Sequence, residues 1–391
     1  MEFDSSCQHL RFKRVLTESG WLSDAVITIR EGLFADIQPY DVTSTVFNWD
    51  QIEYFDADLM PGLIDTHIHG AMGCDVMDAT HHSLNNISLY LAKFGIVGFL
   101  ATTVTSTIPK IEAALRQIAN SKKQGVDGAE LLGGYLEGPY FTEIHRGAHP
   151  NNLLRDIDLN EIKQFIDIAD SSLKVIALAP EKPGAISAIK YLKDHHINTM
   201  IAHTNAGYEQ TTLALDAGAK GIVHCYNGMK GIHHRDTGTV GAGLTHPSAF
   251  IEIINDGHHV HASAIDIAYR CCQNRLLLIS DSMRAAGMPN GKYELGEYLI
   301  TMQDGVVRTD EGSLAGSTLC LLDAVYRTEK DLKIPLERAW ELASLSPAKV
   351  LNIDNQLGSI AIGKKASIVA INSQGVVLHT WVSGELVYSK E

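Results

Sequence analysis

Eight apolar runs of strand length recur through the middle of the chain, separated by longer stretches of helical pattern. They are Leu59 to Thr66, Gly98 to Val104, Leu131 to Glu137, Lys174 to Ala179, Asn198 to His203, Gly221 to His224, Ile251 to Asp256 and Leu276 to Asp281. Near-continuous apolar strands joined by helical crossovers fit a parallel sheet buried on both faces, and eight such units close a (β/α)8 barrel. Between them, Ile108 to Ser121 and Leu159 to Ala169 carry apolar residues at three- and four-residue intervals and predict helices. The two ends differ in texture. Ala25 to Arg30 and Leu33 to Ile37 flank a turn at Glu31-Gly32, and the pattern returns in Ser367 to Ile371, Val376 to Val382 and Glu385 to Tyr388. Neither end is long enough to cover both faces of its own sheet, so the fold class expected is α/β: a TIM-like barrel with a small β-sandwich built from both chain ends. The expected division is 1–58 with 357–391 for the sandwich and 59–356 for the barrel.

Composition limits the function classes. The chain carries 32 Lys and Arg against 46 Asp and Glu, a net charge of −14, so its long-range field repels nucleic acid and anionic lipid, and an anionic ligand needs local cations. No apolar stretch reaches the roughly 20 residues of a membrane span, and no signal segment is evident, so a cytoplasmic protein is expected. The six cysteines include the adjacent Cys271 and Cys272 but no Cys-x-x-Cys, which predicts reduced thiols rather than a disulfide framework or a thiolate zinc cage.

The apolar runs end on an unusual set of side chains. His67 and His69 follow the first, Glu137 the third, His203 the fifth, His224 the sixth and Asp281 the eighth. In a barrel those ends share one rim, where positions more than 200 residues apart can meet. A lone His at such a place is ordinarily a hydrogen-bonded core residue; four histidines and two carboxylates together point to metal ligation. The set of imidazole and carboxylate without thiolate suits zinc, iron, manganese or cobalt. Asp281 is also placed to take a proton from an activated water and pass it to a leaving amine. Among the remaining histidines, His81-His82 and His195-His196 read as solvated surface, whereas the segment His258-His259-Val260-His261 lies at the rim, where at least one His is expected to touch ligand. The loop His233-His234-Arg235 is basic on an acidic protein, as a phosphate anchor would be.

These residues carry a family resemblance. The segment Pro61 to Gly70, Pro-Gly-Leu-Ile-Asp-Thr-His-Ile-His-Gly, resembles the first-strand motif of the amidohydrolase superfamily. Leu136 to Pro139, Arg146 to His149, Ala202 to Asn205, His224 to Met229, Asp256 to His259, Ser280-Asp281 and Leu314 to Ser317 together resemble the N-acetylglucosamine-6-phosphate and N-acetylgalactosamine-6-phosphate deacetylases. The resemblance implies that Glu137, His203 and His224 hold the main metal, that Asp281 is the acid/base, and that His149 polarises the acetyl carbonyl. It implies substrate contacts from Ala148, His149, Asn227, Gly228, Arg235 and His259, and from Leu314, Ala315 and Gly316 through their backbone. His67 and His69, which some relatives replace, leave a second metal position available beside Asp281. The expected cofactor is thus one or two divalent ions, zinc foremost, and the expected partners are a sugar phosphate and a second copy of the chain in a homodimer, with neither nucleic acid nor membrane. The C4 epimer of the sugar is left open. A cyclic-amide hydrolase of the dihydroorotase kind would want a modified Lys at the fourth strand end, where this chain has Leu-Ala-Pro-Glu from Leu178 to Glu181 and Lys182 beyond it. A non-catalytic sugar-phosphate binder would have no use for the ligand set and Asp281 together.

Overall fold

The computed structural model describes residues 7–41 and 52–390. Its largest sheet has eight parallel strands in chain order: Leu63–Ile68, Ile96–Thr102, Glu130–Glu137, Leu173–Leu178, Asn198–Ile201, Gly221–Ile222, Phe250–Ile253 and Leu276–Leu278. The eighth closes on the first just beyond its paired residues: the Asp281 N–H donates to the His67 carbonyl at 3.0 Å, and the His69 N–H to the Ser282 carbonyl at 2.8 Å. This is the expected (β/α)8 barrel.

Alternation of side chains along each strand divides the apolar residues into two layers. Phe99, Leu131, Leu136, Ile176 and Ile251 belong to the layer that packs on helices such as Ile108–Gln124, through Ile111, Leu115 and Ile118, and Leu159–Ile168, through Ile162 and Phe165. Val97, Leu132, Tyr135, Val175, Ala177, Met200 and Val223 take alternate positions and fill the barrel interior. The sequence sets the limits of these helices. Pro109 stands in the first turn of the former, and Gly125 ends it at a φ of 87°. The Asp158 carboxylate caps the latter by accepting from the Asn160 N–H at 2.8 Å.

Both chain ends enter one seven-stranded sheet, ordered Glu385–Ser389, Val377–Val382, Ile368–Ile371, Glu53–Pro61, Cys7–Thr17, Gly20–Arg30 and Leu33–Pro39. The sheet folds back on itself, for the Phe34 N–H donates to the Lys364 carbonyl at 2.9 Å and Leu33 bridges Lys365, while Phe12, Ile27, Ile368 and Trp381 share its core. The apolar run from Leu59 to Thr66 proves to be two strands in two sheets. Gly62 separates them, where a Cβ would sit 2.2 Å from Val97 Cγ1, so the chain crosses from one sheet to the other against Val97. A feature the sequence did not announce is a three-stranded antiparallel sheet, Gly291–Leu295, Tyr298–Gln303 and Val306–Thr309, between the eighth strand and the segment 314–316. Among the described residues no helix is long and apolar enough to cross a membrane.

Candidate active site

At the end of the barrel reached by the strand C-termini lies a cavity of about 360 Å³, within the roughly 300–1,000 Å³ of small-molecule sites. Of the residues singled out from the sequence, His69, Glu137, Ala148, His149, His203, His224, Asn227, Gly228, His259, Asp281, Leu314, Ala315 and Gly316 line it. His67 lies fully buried behind His69 and Asp281. Arg235 does not line the cavity: it is exposed, its guanidinium beside the His234 ring. His258 and His261 are exposed too, the latter capping the helix Ala262–Cys272. Lys182, the alternative to a metal-bridging Lys, pairs with Asp156 at 3.1 Å.

The strands deliver the key side chains by ending abruptly. His203, His224 and Asp281 each have a left-handed backbone, with φ of 43°, 28° and 49°. That conformation costs a non-glycine residue on the order of 1–3 kcal/mol and persists only where its surroundings over-determine it. They do so here. The His203 carbonyl accepts from both the N–H and the hydroxyl of Thr142, at 3.0 Å each. Asp281 is held on both sides, by its own N–H to His67 and by the Ser317 N–H, which donates to its carbonyl at 2.7 Å.

Two buried triads result, Glu137–His203–His224 and His67–His69–Asp281, with the ligand atoms of each within 4.8 Å of one another. Glu137 serves both. Its Oε1 lies 3.4 Å from His203 Nε2 and 3.3 Å from His224 Nε2, and its Oε2 lies 3.2 Å from His69 Nε2 and 3.6 Å from His67 Nε2. Asp281 Oδ1 completes the second triad at 3.2 Å from His69 and 3.5 Å from His67. These separations match the spacing of about 3.3 Å expected between ligand atoms set tetrahedrally around an ion with bonds of about 2.0 Å. His67 Nε2 is moreover a buried nitrogen without a hydrogen-bond partner, aimed between two carboxylates. The donor set therefore fits a divalent ion at each triad.

Electrostatics follow the same geometry. Burial pushes the Glu137 carboxyl up, but the imidazoles of His67, His203 and His224 outweigh it and hold the pKa well below the ordinary carboxylate range. Asp281 is likewise raised by burial and lowered further by His69 and His67, so it is a carboxylate at neutral pH. Burial, and then the neighbouring His203, keep the His149 pKa well below its usual value, which leaves that ring neutral. Its tautomer is fixed from behind: the Thr105 N–H, which can only donate, lies 3.4 Å from His149 Nδ1, with the Thr105 hydroxyl at 2.8 Å. The proton of His149 is therefore on Nε2, 3.9 Å from Glu137 Oε2. At His259, Nδ1 meets the Asp256 carboxylate at 2.7 Å, which orients the ring.

Several lining residues went unforeseen. Val104, Ile254, Leu295 and Ser313 complete the wall, Leu295 from the three-stranded sheet. Thr105 and Glu252 act behind it. Glu252 left a signal in the sequence, as a lone carboxylate inside the apolar seventh strand.

Comparison with known proteins agrees with this architecture. The amidohydrolase family pattern matches residues 59–387. The chain is 54% identical over 389 residues to the N-acetylglucosamine-6-phosphate deacetylase of Vibrio furnissii, covering 99% of this chain and 97% of that one. It is 46% identical over 379 residues to the N-acetylgalactosamine-6-phosphate deacetylase of Escherichia coli O157:H7, covering 96% and 98% respectively. Among solved structures, a mutant N-acetyl-D-glucosamine-6-phosphate deacetylase of Mycobacterium smegmatis in complex with N-acetyl-D-glucosamine-6-phosphate superposes with a TM-score of 0.91 at 27% identity, over 98% of this chain and 100% of that one. With the family pattern spanning residues 59–387 and 54% and 46% identity to these two enzymes over nearly the whole chain, the chain belongs to the amidohydrolase family.

Proposed function

We propose that this chain is an N-acetylglucosamine-6-phosphate deacetylase, hydrolysing the N-acetyl amide of its substrate to the amino sugar 6-phosphate and acetate. The observation that carries the reading is the Glu137–His203–His224 triad beside the Asp281 carboxylate and neutral His149 in one cavity. The 54% identity to the Vibrio furnissii enzyme supports it. A divalent ion held by Glu137, His203 and His224, with a second position at His67, His69 and Asp281, would supply Lewis acidity and a water whose pKa falls to about 7; zinc leads among zinc, iron, manganese and cobalt.

The remaining work falls to the protein's own groups. His149 donates a hydrogen bond from its Nε2–H to the acetyl carbonyl oxygen as negative charge develops there, keeping its proton. Asp281, whose side chain keeps 11% exposure, takes the proton of the attacking water and returns it to the nitrogen as the C–N bond breaks, so acetate leaves with the new oxygen and the sugar keeps the amine. Ala148, Asn227, Gly228, His259 and the backbone of Leu314, Ala315 and Gly316 contact the sugar phosphate. Gly316, at a φ of 62°, lets that segment run against Asp281, where a Cβ would stand 3.2 Å from the Asp281 carbonyl. The phosphate contact assigned to Arg235 and the homodimer belong to the same reading. A phosphorylated substrate does not cross membranes unaided, which favours the cytoplasm. The division of the chain into 1–58 with 357–391 and 59–356 belongs to the same reading.

The 46% identity to the Escherichia coli enzyme favours the galacto epimer as the second reading. Acetate release from both C4 epimers, compared side by side on protein of known ion content, tests the assignment. Faster turnover of the gluco epimer is expected; a preference for the galacto epimer reverses the order, and no acetate from either removes the reading.

A further inference from the structure

The four imidazoles of the two triads are all steered through their second nitrogen, but not by the same kind of group. His69 Nδ1 faces the Thr102 carbonyl at 3.1 Å, His203 Nδ1 the His145 carbonyl at 2.9 Å and His224 Nδ1 the Asn227 carbonyl at 3.2 Å. A carbonyl only accepts, so each of these rings carries its proton on Nδ1 and turns the Nε2 lone pair to the carboxylates. His67 differs: its Nδ1 faces a carboxylate, Glu252 Oε2, at 3.3 Å. Both residues are buried, at 0% and 1% exposure. Glu252 stands on the seventh strand with Ile251 and Ile253 as neighbours, in the interior of a barrel whose filling is otherwise largely apolar. Burying a carboxylate costs several kcal/mol unless a partner compensates it, and the partner in view is the His67 ring. On the other side of that ring, Nε2 has no hydrogen-bond partner and points between Glu137 and Asp281.

We propose that Glu252 is a positioning residue for the second ion position: by accepting from His67 Nδ1–H it holds the Nε2 lone pair toward the gap between Glu137 and Asp281, and so sets how tightly the His67–His69–Asp281 triad holds its ion, independently of Glu137–His203–His224. A carboxylate acceptor also makes an imidazole a stronger donor than a carbonyl does. The proposal rests on the metal-dependent reading above, but adds to it a residue that touches neither ion nor substrate.

The test is Zn²⁺ titration of the metal-stripped full chain against a chromophoric chelator, with elemental analysis of the loaded protein. Wild type is expected to bind two ions. Glu252→Gln should weaken one of them roughly 10–100-fold, leaving the other within about threefold. His67→Asn should weaken the same ion, and the double variant should lose no more than His67→Asn alone. Should Glu252→Gln fail to fold by circular dichroism, Glu252→Met, which keeps the volume in an apolar strand, carries the same expectation. Unchanged affinities, an equal loss at both positions, uptake of a single ion by wild type, or failure of both variants to fold overturns the proposal. Acetate assays on the same samples separate the two readings: a wild type with one ion that still releases acetate discards only the role of Glu252, whereas two ions without acetate discard only the deacetylase.

Discussion

Asp281 Oδ1 and His69 Nε2 lie 3.2 Å apart across the seam where the eighth strand closes on the first. The same seam carries the Asp281 N–H to His67 carbonyl bond and the Ile68–Ser282 bridge, so barrel closure and the placing of the proposed base are one structural event. The bonds that close the barrel therefore also fix the Asp281 backbone. This gives removal of the base a specific expected signature.

Asp281→Asn keeps the shape of the side chain and the backbone bonds at the seam while removing the proton acceptor. Turnover should fall roughly 10²–10⁴-fold, with substrate affinity and the ion at Glu137, His203 and His224 retained. Calorimetric substrate binding beside an acetate assay reads both; turnover within tenfold of wild type contradicts the assignment.

His149→Ala removes the proposed donor to the developing oxyanion. Its kcat should fall by roughly 10²–10³ with a smaller change in KM. Thr105→Val, which takes away the hydroxyl 2.8 Å from His149 Nδ1 but leaves the backbone N–H, should give a smaller loss in the same direction. A change confined to KM in both variants would place His149 in binding alone.

Gly228 packs its backbone against His203. It has a φ of 61°, and a Cβ there would sit 2.8 Å from His203 Nδ1. Gly228→Ala should therefore push His203 off its bond to the His145 carbonyl and weaken the ion held with Glu137 and His224. Chelator competition checks this; an affinity equal to wild type would show that the ring has room to move.

Metal-stripped protein should show a pH dependence that loaded protein lacks. Burial lowers the pKa of His69, but its bonds to Asp281 and Glu137 dominate and bring it up to about 9, above the ordinary 6.5. A folded-state pKa above the unfolded one contributes stability that is fully present below pH 6.5 and is lost as pH rises through about 9. The melting temperature of stripped protein should thus decline between those pH values, and added Zn²⁺ should largely restore it at the alkaline end. Thermal scans across the range, with and without ion, would show a flat stripped profile if the imidazole is not charged.

Much of this site could be read from the chain because parallel barrel strands are apolar until they stop, and the residue at the stop is the one the rim uses. His67, Glu137, His203, His224 and Asp281 all announce themselves in that way. What could not be read depends on packing between distant parts. The strand Cys7–Thr17 mixes charged and apolar residues, and it takes its meaning from pairing with both Gly20–Arg30 and Glu53–Pro61. The sheet that brings Leu295 to the cavity consists of short amphipathic strands whose shared core with Met283 and Ala315 exists only once the chain has returned past the eighth strand. Arg235 was legible as a cation, but its position was not, since a loop side chain is placed by its surroundings rather than by its neighbours in sequence. Thr105 gave no signal at all, as nothing in a Thr marks it as the group behind a His 44 positions away.

In the proposed reaction an ion held at Glu137, His203 and His224 and the carboxylate of Asp281 act together on an N-acetyl amide. The most direct measurement is acetate released from N-acetylglucosamine 6-phosphate by one preparation as it is stripped of metal and then titrated with Zn²⁺. Stripped protein should release no acetate, recovery should saturate at one or two ions per chain, and Asp281→Asn should show no recovery. Equal acetate release from stripped and loaded protein would contradict the proposed reaction.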